Sequence, residues 1–310
     1  MANEAFERDA RIREAAFQRL ESLLVTDQVV DHYTLAEGFP FEGAVIRFLS
    51  QAEGIFKPKE MEWPLSVKTV VPKKGRDVWY RDQLSAHQEV LTSSETVRYA
   101  FKGEDPNAKP NLGLRYVMEL QLPIIYFLGV SPARYQPIFP AYVVDWDPFH
   151  KEVRIAFLPQ EQRALGVRDG GVERRYGLQE VQVRLHQTRF REAVLGAYNG
   201  KCALTGLPVP RLLDAAHIVP DKHEIYGQPE VHNGLALTKL HHAAFDAYLI
   251  GIDQDLRVHV SRALQLKKDG PALEALKQLE GVYLTPPADA RDAPDRDRLK
   301  YRFDLFSERA

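Results

Sequence analysis

The chain has 310 residues, 45% apolar and 27% charged, which is enough for two domains of ordinary size, each with its own core. Its 41 Lys and Arg nearly cancel 43 Asp and Glu, so a protein coated in basic residues is excluded and any nucleic-acid contact must come from a local patch. A single cysteine, Cys202, excludes a disulfide framework, and no apolar run of the roughly eighteen residues needed to cross a membrane occurs. The charged, periodic N-terminus is unlike a signal peptide, so the expected compartment is the cytoplasm.

Apolar side chains at Phe6, Ile12, Ala16, Leu20 and Leu23–Leu24, separated by charges, predict an amphipathic helix within residues 1–24. Residues 25–158 read as a β-rich domain. Its clearest strands are Ser66–Val71, Ile124–Leu128, Ala141–Val144 and Glu152–Phe157, rich in β-branched and aromatic residues. Segments 75–82 and 102–111 are polar and read as turn or loop. Many short strands with little helix between them suggest a curved antiparallel sheet or a partly closed barrel.

Residues 159–177 are rich in Arg, Glu and Gly and read as a linker to a second domain, 178–310. That domain opens with a helix predicted over 183–198, carrying Leu185, Phe190, Val194, Leu195 and Tyr198, with Gly200 as its stop. Toward the end, 286–298 reads as charged surface coil before a short apolar stretch, Tyr301–Phe306. The fold class is therefore α+β.

Five of the ten histidines fall between His217 and His242. Leu212 to Pro220 reads as a short strand ending in a histidine, His217, Asn233-Gly234 as a turn, and Leu235–Leu237 as a second strand. Thr238 can cap a helix carrying His241, His242, Phe245 and Asp246. Strand, loop, strand and helix, with histidine on the first strand and on the helix, suit metal-assisted phosphodiester cleavage. One neutral imidazole can deprotonate water, while an imidazole and an oxygen ligand hold a hard divalent cation.

Asp214-Ala-Ala-His217-Ile-Val-Pro, then Asn233-Gly-Leu-Ala-Leu, then Leu-His-His242-Ala-Ala-Phe-Asp246 resembles the HNH endonuclease family, and more narrowly its bacterial restriction-type members. The resemblance covers roughly Arg184 to Val260, including the lead-in Tyr198 to Gly206. It implies a C-terminal ββα-metal nuclease domain in which His217 is the general base, Asn233 braces the loop, and His242 is a metal ligand. Helix geometry agrees that only one of His241 and His242 points inward, since neighbours diverge by about 100°. Family members often carry a metal ligand immediately before the catalytic histidine, and here that position is Ala216. Asp214 shares the strand face of Ala216 and is the expected second ligand. The paired cysteines of zinc-stabilised relatives are absent, so no structural zinc is expected; Mg²⁺ or Mn²⁺ suits a carboxylate–imidazole site acting on phosphate.

Eight basic residues against four acidic ones lie between 174 and 222, which suits a phosphate-facing surface. Arg184, Arg189, Arg191, Lys201 and Arg211, with His241, are the expected DNA contacts. In the first domain aromatic and basic residues interleave around Trp79 and Tyr80, and again at Arg98, Tyr99, Phe101 and Lys102. Such mixtures can hold a flipped base while cations take the flanking phosphates. Restriction-type HNH proteins often join the nuclease to a reader of modified DNA, such as an SRA-like or other PUA-related module. The expectation is a modification-dependent endonuclease acting on double-stranded DNA, as a homodimer if one active site cuts each strand. A nicking or mobile-element nuclease, and a DNA-binding protein with a degenerate nuclease site, remain the alternatives.

Overall fold

The computed structural model describes residues 2–25, 27–71, 96–157, 171–223, 225–268 and 270–309, together with Val90 and Ser93. The chain divides into two compact units, Met1–Leu185 and His186–Ala310. Among the described residues no helix is long and apolar enough to cross a membrane.

The first unit opens with helix α1 (Ala2–Leu24), whose Ile12, Ala16 and Leu20 are fully buried, as their spacing predicts. The same face also buries Asp9 and Arg13, a pair that the apolar periodicity does not reveal. Asp9 accepts the backbone N–H groups of Glu62 and Trp63, and Arg13 Nη1 donates to the Pro123 carbonyl at 2.7 Å. Short elements follow: β1 (Val30–Asp31), α2 (His32–Glu37), β2 (Phe39–Phe41), β3 (Ala44–Ile46), β4 (Ile55–Phe56), β5 (Ser66–Lys68) and β6 (Val97–Ala100). Helix α3 (Lys109–Glu119) then leads into β7 (Ile124–Ser131), β8 (Arg134–Asp147) and β9 (Glu152–Phe157).

The main sheet runs β4-β5-β7-β8-β9-β6, with β1 also on β8. It is mixed, not purely antiparallel, because β5 and β7 run parallel. Among the described residues its path is open. Strand β7 explains why the sequence reads as an unbroken apolar run here. Its Ile124, Tyr126 and Leu128 enter one core, and Ile125 and Phe127 enter a second. Segment 102–111 is not all loop, since α3 begins at Lys109. Buried Asn111 organises it by accepting from Lys102 N and donating to the Lys102 and Asp105 carbonyls.

Helix α4 (Gly171–Ala197) begins earlier than the 183–198 span predicted, within the segment read as linker. In the second unit it is followed by β10 (Leu213–His217), β11 (Gly234–Thr238), α5 (Lys239–Asp246), β12 (Ile250–Ile252) and β13 (Val258–Val260). Helices α6 (Arg262–Gln265), α7 (Pro271–Lys277) and α8 (Arg296–Arg309) complete it. The coil expected over 286–298 gives way at Arg296 to this helix, which takes in Tyr301–Phe306 and buries Arg298, Leu299, Arg302 and Phe306. Gly251 lets α8 approach, because a Cβ there would lie 2.5 Å from the Phe306 ring.

Candidate active site

Strands β10 and β11 pair antiparallel with His217 opposite Gly234, and α5 follows directly. Thr238 caps that helix, its Oγ1 accepting the His241 N–H at 3.2 Å. Asn233-Gly234 is not the hairpin turn that its sequence suggests. Asn233 ends a short 3-10 turn, Val231–Asn233, and Gly234 opens β11 with ordinary extended dihedrals. Glycine is required there by space: a Cβ would sit 2.2 Å from Val194 Cγ2 and 3.0 Å from the Phe190 ring.

That close approach of α4 matters because Phe190 stacks on His217, with ring centroids 3.9 Å apart and planes 13° from parallel. Among the described residues His217 Nε2 is buried without a hydrogen-bond partner. Burial holds the pKa of His217 below the ordinary imidazole value. At neutral pH the ring is therefore an uncharged base.

Fully buried Asn233 clasps the two ends of the loop that follows β10. Its Oδ1 accepts from Val219 N at 2.9 Å, and its Nδ2 donates to the carbonyls of Val219 and Gln228 at 2.9 and 3.1 Å. The Ile218 N–H donates to the Asn233 carbonyl at 2.9 Å. Asn233 thus holds the backbone that follows His217.

His242 lies between two carboxylates. Its Nδ1 is 3.5 Å from Asp214 Oδ2 and its Nε2 is 3.2 Å from Asp246 Oδ2. These hydrogen bonds raise the pKa of His242 to about 9 and hold both acids below the ordinary carboxylate range. Ala216, by contrast, is fully buried, so a ligand at that position would point into the core. Asp214, two residues earlier and half-exposed, lines the cleft, as do Asp221 and Asp246.

The cleft measures about 590 Å³ and is lined by Asp214, His217, His242 and Asp246, with Arg191 and Arg302. Arg302 comes from α8, far beyond the histidine motifs, and nothing local in the sequence marks it. It donates to the Phe245 carbonyl at 2.8 Å and to the Tyr248 hydroxyl at 2.7 Å, with its guanidinium 4.0 Å over the Tyr248 ring. Phe190 was legible only as a helix apolar residue.

The expected DNA contacts separate. Arg189, Lys201 and Arg211 are exposed. Arg191 lines the cleft but donates Nη2 to the carbonyls of Pro210 and Leu213. Arg184 belongs to the first unit and is 3.4 Å from Glu180. His241 is not on a DNA-facing surface: it is 7% exposed, with Nδ1 3.5 Å from Cys202 Sγ. The 100° step along α5 turns His242 outward and His241 into the core. Burial pushes the Cys202 thiol up, but hydrogen bonds from His241, Thr205 and the backbone of Leu204 and Thr205 outweigh it and bring its pKa to about 6. Trp79 and Tyr80 lie outside the described residues.

Among the described residues no three His, Cys, Asp or Glu side chains form a ready-made metal cage. Asp214 and Asp246 sit at opposite nitrogens of His242, so a cation held by that ring could share it with only one of them. One imidazole and one carboxylate still fit a hard divalent cation, which takes its remaining ligands from water and phosphate.

Residues 202–253 match the HNH endonuclease family. No curated protein matches the chain. Among solved structures there is a likeness to a protein described as a modification dependent TagI restriction endonuclease, at 15% identity and a TM-score of 0.31. It covers 77% of this chain and 80% of that one.

Proposed function

With an HNH endonuclease domain carried at residues 202–253, we propose that the protein is a metal-dependent DNA endonuclease that hydrolyses phosphodiester bonds. It would be of restriction type, with residues 25–158 directing the nuclease, 178–310, to modified double-stranded DNA. The first domain's curled sheet would then serve as a PUA- or SRA-like reader, and a cytoplasmic homodimer would supply one site per strand.

The observation that carries the nuclease reading is the meeting of His217 and the Asp214–His242 pair in one cleft. His217, held neutral by burial, would accept a proton from water. Phe190 fixes the plane of the ring, and Asn233 holds the backbone that follows it. Asp214 and His242 Nδ1 would hold Mg²⁺ or Mn²⁺, and Asp246 would orient the ring from Nε2. When bound, the cation supplies charge stabilisation on the phosphate and the leaving oxygen. Exposed Arg189, Lys201 and Arg211 supply positive charge for the DNA backbone.

The test is cleavage of matched plasmids, unmodified or carrying 5-methylcytosine, 5-hydroxymethylcytosine, N6-methyladenine or phosphorothioate linkages, with Mg²⁺ or Mn²⁺. Selective cutting of one modified plasmid is the expected result. Equal cutting of all removes the reader but keeps the nuclease. Binding without any cutting points to a degenerate nuclease site.

A further inference from the structure

The residues that match the HNH family end at 253, yet Arg302 of α8 lines the same cleft as His217 and His242. Its side chain is 6% exposed and is gripped on several sides. Nη2 donates to the Phe245 carbonyl at 2.8 Å, and Nη1 donates to the Tyr248 hydroxyl at 2.7 Å. The guanidinium lies 4.8 Å from the centroid of the Phe245 ring and 4.0 Å from that of Tyr248. One turn earlier on the same helix face, buried Arg298 donates to Gln228 Oε1 at 2.9 Å. The Asp295 N–H, just before the helix, donates to the His232 carbonyl at 2.9 Å. Helix α8 is thus anchored both to the loop clasped by Asn233 and to the end of α5.

Phe245 and Asp246 are the last residues of α5, the helix that carries His242, where backbone carbonyls run short of intrahelical partners. The helix dipole favours a cation at that end. Beyond it the chain turns at Tyr248, whose φ of +56° lies in the left-handed region. The Leu249 N–H donates to the Ala244 carbonyl and the Tyr248 N–H to the Phe245 carbonyl. Tyr248 therefore occupies the position at which such helix ends usually carry glycine. A side chain at a left-handed position is disfavoured, and the contacts of this one account for its presence. Its hydroxyl accepts from Arg302, and its ring lies beside two guanidinium groups, those of Arg302 and, at 4.4 Å, Arg309.

Asp246 is the exposed member of this chain of contacts. Its side chain is 60% exposed, with Oδ2 3.2 Å from His242 Nε2 and Oδ1 3.9 Å from Arg302 Nη2. A carboxylate so open to water has several rotamers within reach, whereas the gripped guanidinium has almost no freedom. Resting on the reading of the cleft as a metal-dependent nuclease site, we propose that Arg302, seated on Tyr248, is a positioning residue for the His242 ring. It holds one oxygen of Asp246, so that the other fixes the imidazole from Nε2 and leaves Nδ1 facing Asp214. The functional unit then extends well past the histidine motifs, with α8 as part of it.

The test measures Mn²⁺ binding to full-length protein through the electron paramagnetic resonance of free Mn²⁺, beside DNA affinity in EDTA and plasmid cleavage. His242→Ala defines complete loss of the site. Arg302→Gln is expected to weaken Mn²⁺ binding by about tenfold or more while leaving DNA affinity in EDTA unchanged. In an Asp246→Asn background the same substitution should cost nothing further, because the two residues act in series. Tyr248→Phe keeps the ring and removes only the hydroxyl, and should weaken Mn²⁺ binding by about threefold. It decides the outcome if Arg302→Gln does not fold. Unchanged Mn²⁺ binding in the folded variants, or an equal loss in the Asp246→Asn background, overturns the inference. So does a loss confined to DNA affinity in EDTA, which would make Arg302 a phosphate contact. Wild type that binds Mn²⁺ no better than His242→Ala and cuts no DNA overturns the nuclease reading as well. Wild type that cuts while the variants bind Mn²⁺ normally overturns only the role of Arg302.

Discussion

Phe190 and His217 lie face to face, 3.9 Å between ring centroids, although they come from a helix and a strand 27 positions apart. The phenyl ring keeps one face of the imidazole from water, so the ring is both oriented and held neutral. Replacing Phe190 by Leu keeps an apolar residue but removes the flat surface. Turnover should fall by about tenfold with little change in DNA affinity, because the base is displaced and not removed. A kcat–KM split measured on a cognate plasmid checks this, and an unchanged kcat would show that the stack has no role in positioning.

The same burial sets the pH response. In the proposed mechanism His217 must be unprotonated, and its pKa lies below the ordinary imidazole value. Activity should therefore rise with pH along an acid limb centred below about 6.5. Phe190→Leu should move that limb upward, and His217→Ala should remove it with a loss of about 10²–10⁴-fold. A limb above 7 in the wild type would contradict a buried neutral base.

His242 gives a stability signature of the opposite sign. Its folded pKa is raised from 6.5 to about 9, so its stabilising contribution is fully present below 6.5 and is lost as pH rises through 9. In metal-free protein the contribution is at most about 3 kcal/mol. Cys202, lowered from 9.0 to about 6, pushes stability the other way across this range. The clean observable is thus the difference between wild type and His242→Gln, with Cys202 present in both. Their melting temperatures should converge from pH 6.5 to 9 in EDTA; a constant gap would show that the carboxylates do not bind the protonated ring.

Asn233→Ala removes an acceptor for Val219 N and donors to two carbonyls at a fully buried position. Leaving those groups unpaired should cost about 3 kcal/mol or more in urea unfolding. A cost below about 1 kcal/mol would mean that water takes over the clasp.

Gly234→Ala should destabilise by about 1–3 kcal/mol and lower cleavage as well, because its methyl would strike Val194 and press on Phe190. Adding Val194→Ala should restore part of both losses. Failure of the double variant to recover either would place the effect in the backbone of β11 and not in the helix contact.

Much of the second unit was legible because its elements are short and their signals local. The strand of His217, the Thr238 cap and the divergence of His241 from His242 each follow from neighbouring residues. Arg302 and Phe190 reach the cleft through tertiary packing, which leaves no mark beside the histidines. Asn233-Gly234 was misread as a turn because space alone, and not dihedral angle, selects that glycine. His241 was misassigned because helix periodicity shows that two faces differ but not which one meets the core. In the first unit, buried Asp9 and Arg13 and the parallel pairing of β5 with β7 depend on partners distant in sequence.

The Asn233 clasp pins the segment that follows β10 at Val219 and again at Gln228. Added length there would exert little leverage on His217, since closure entropy grows only logarithmically, by about 0.6 kcal/mol for each doubling. An insertion beside Ile225, which is 71% exposed, therefore meets this clasp before it meets the His217 ring. The same clasp makes the exposed Ile225 position a place to graft a peptide tag or an added DNA contact, with the backbone after His217 held as it is.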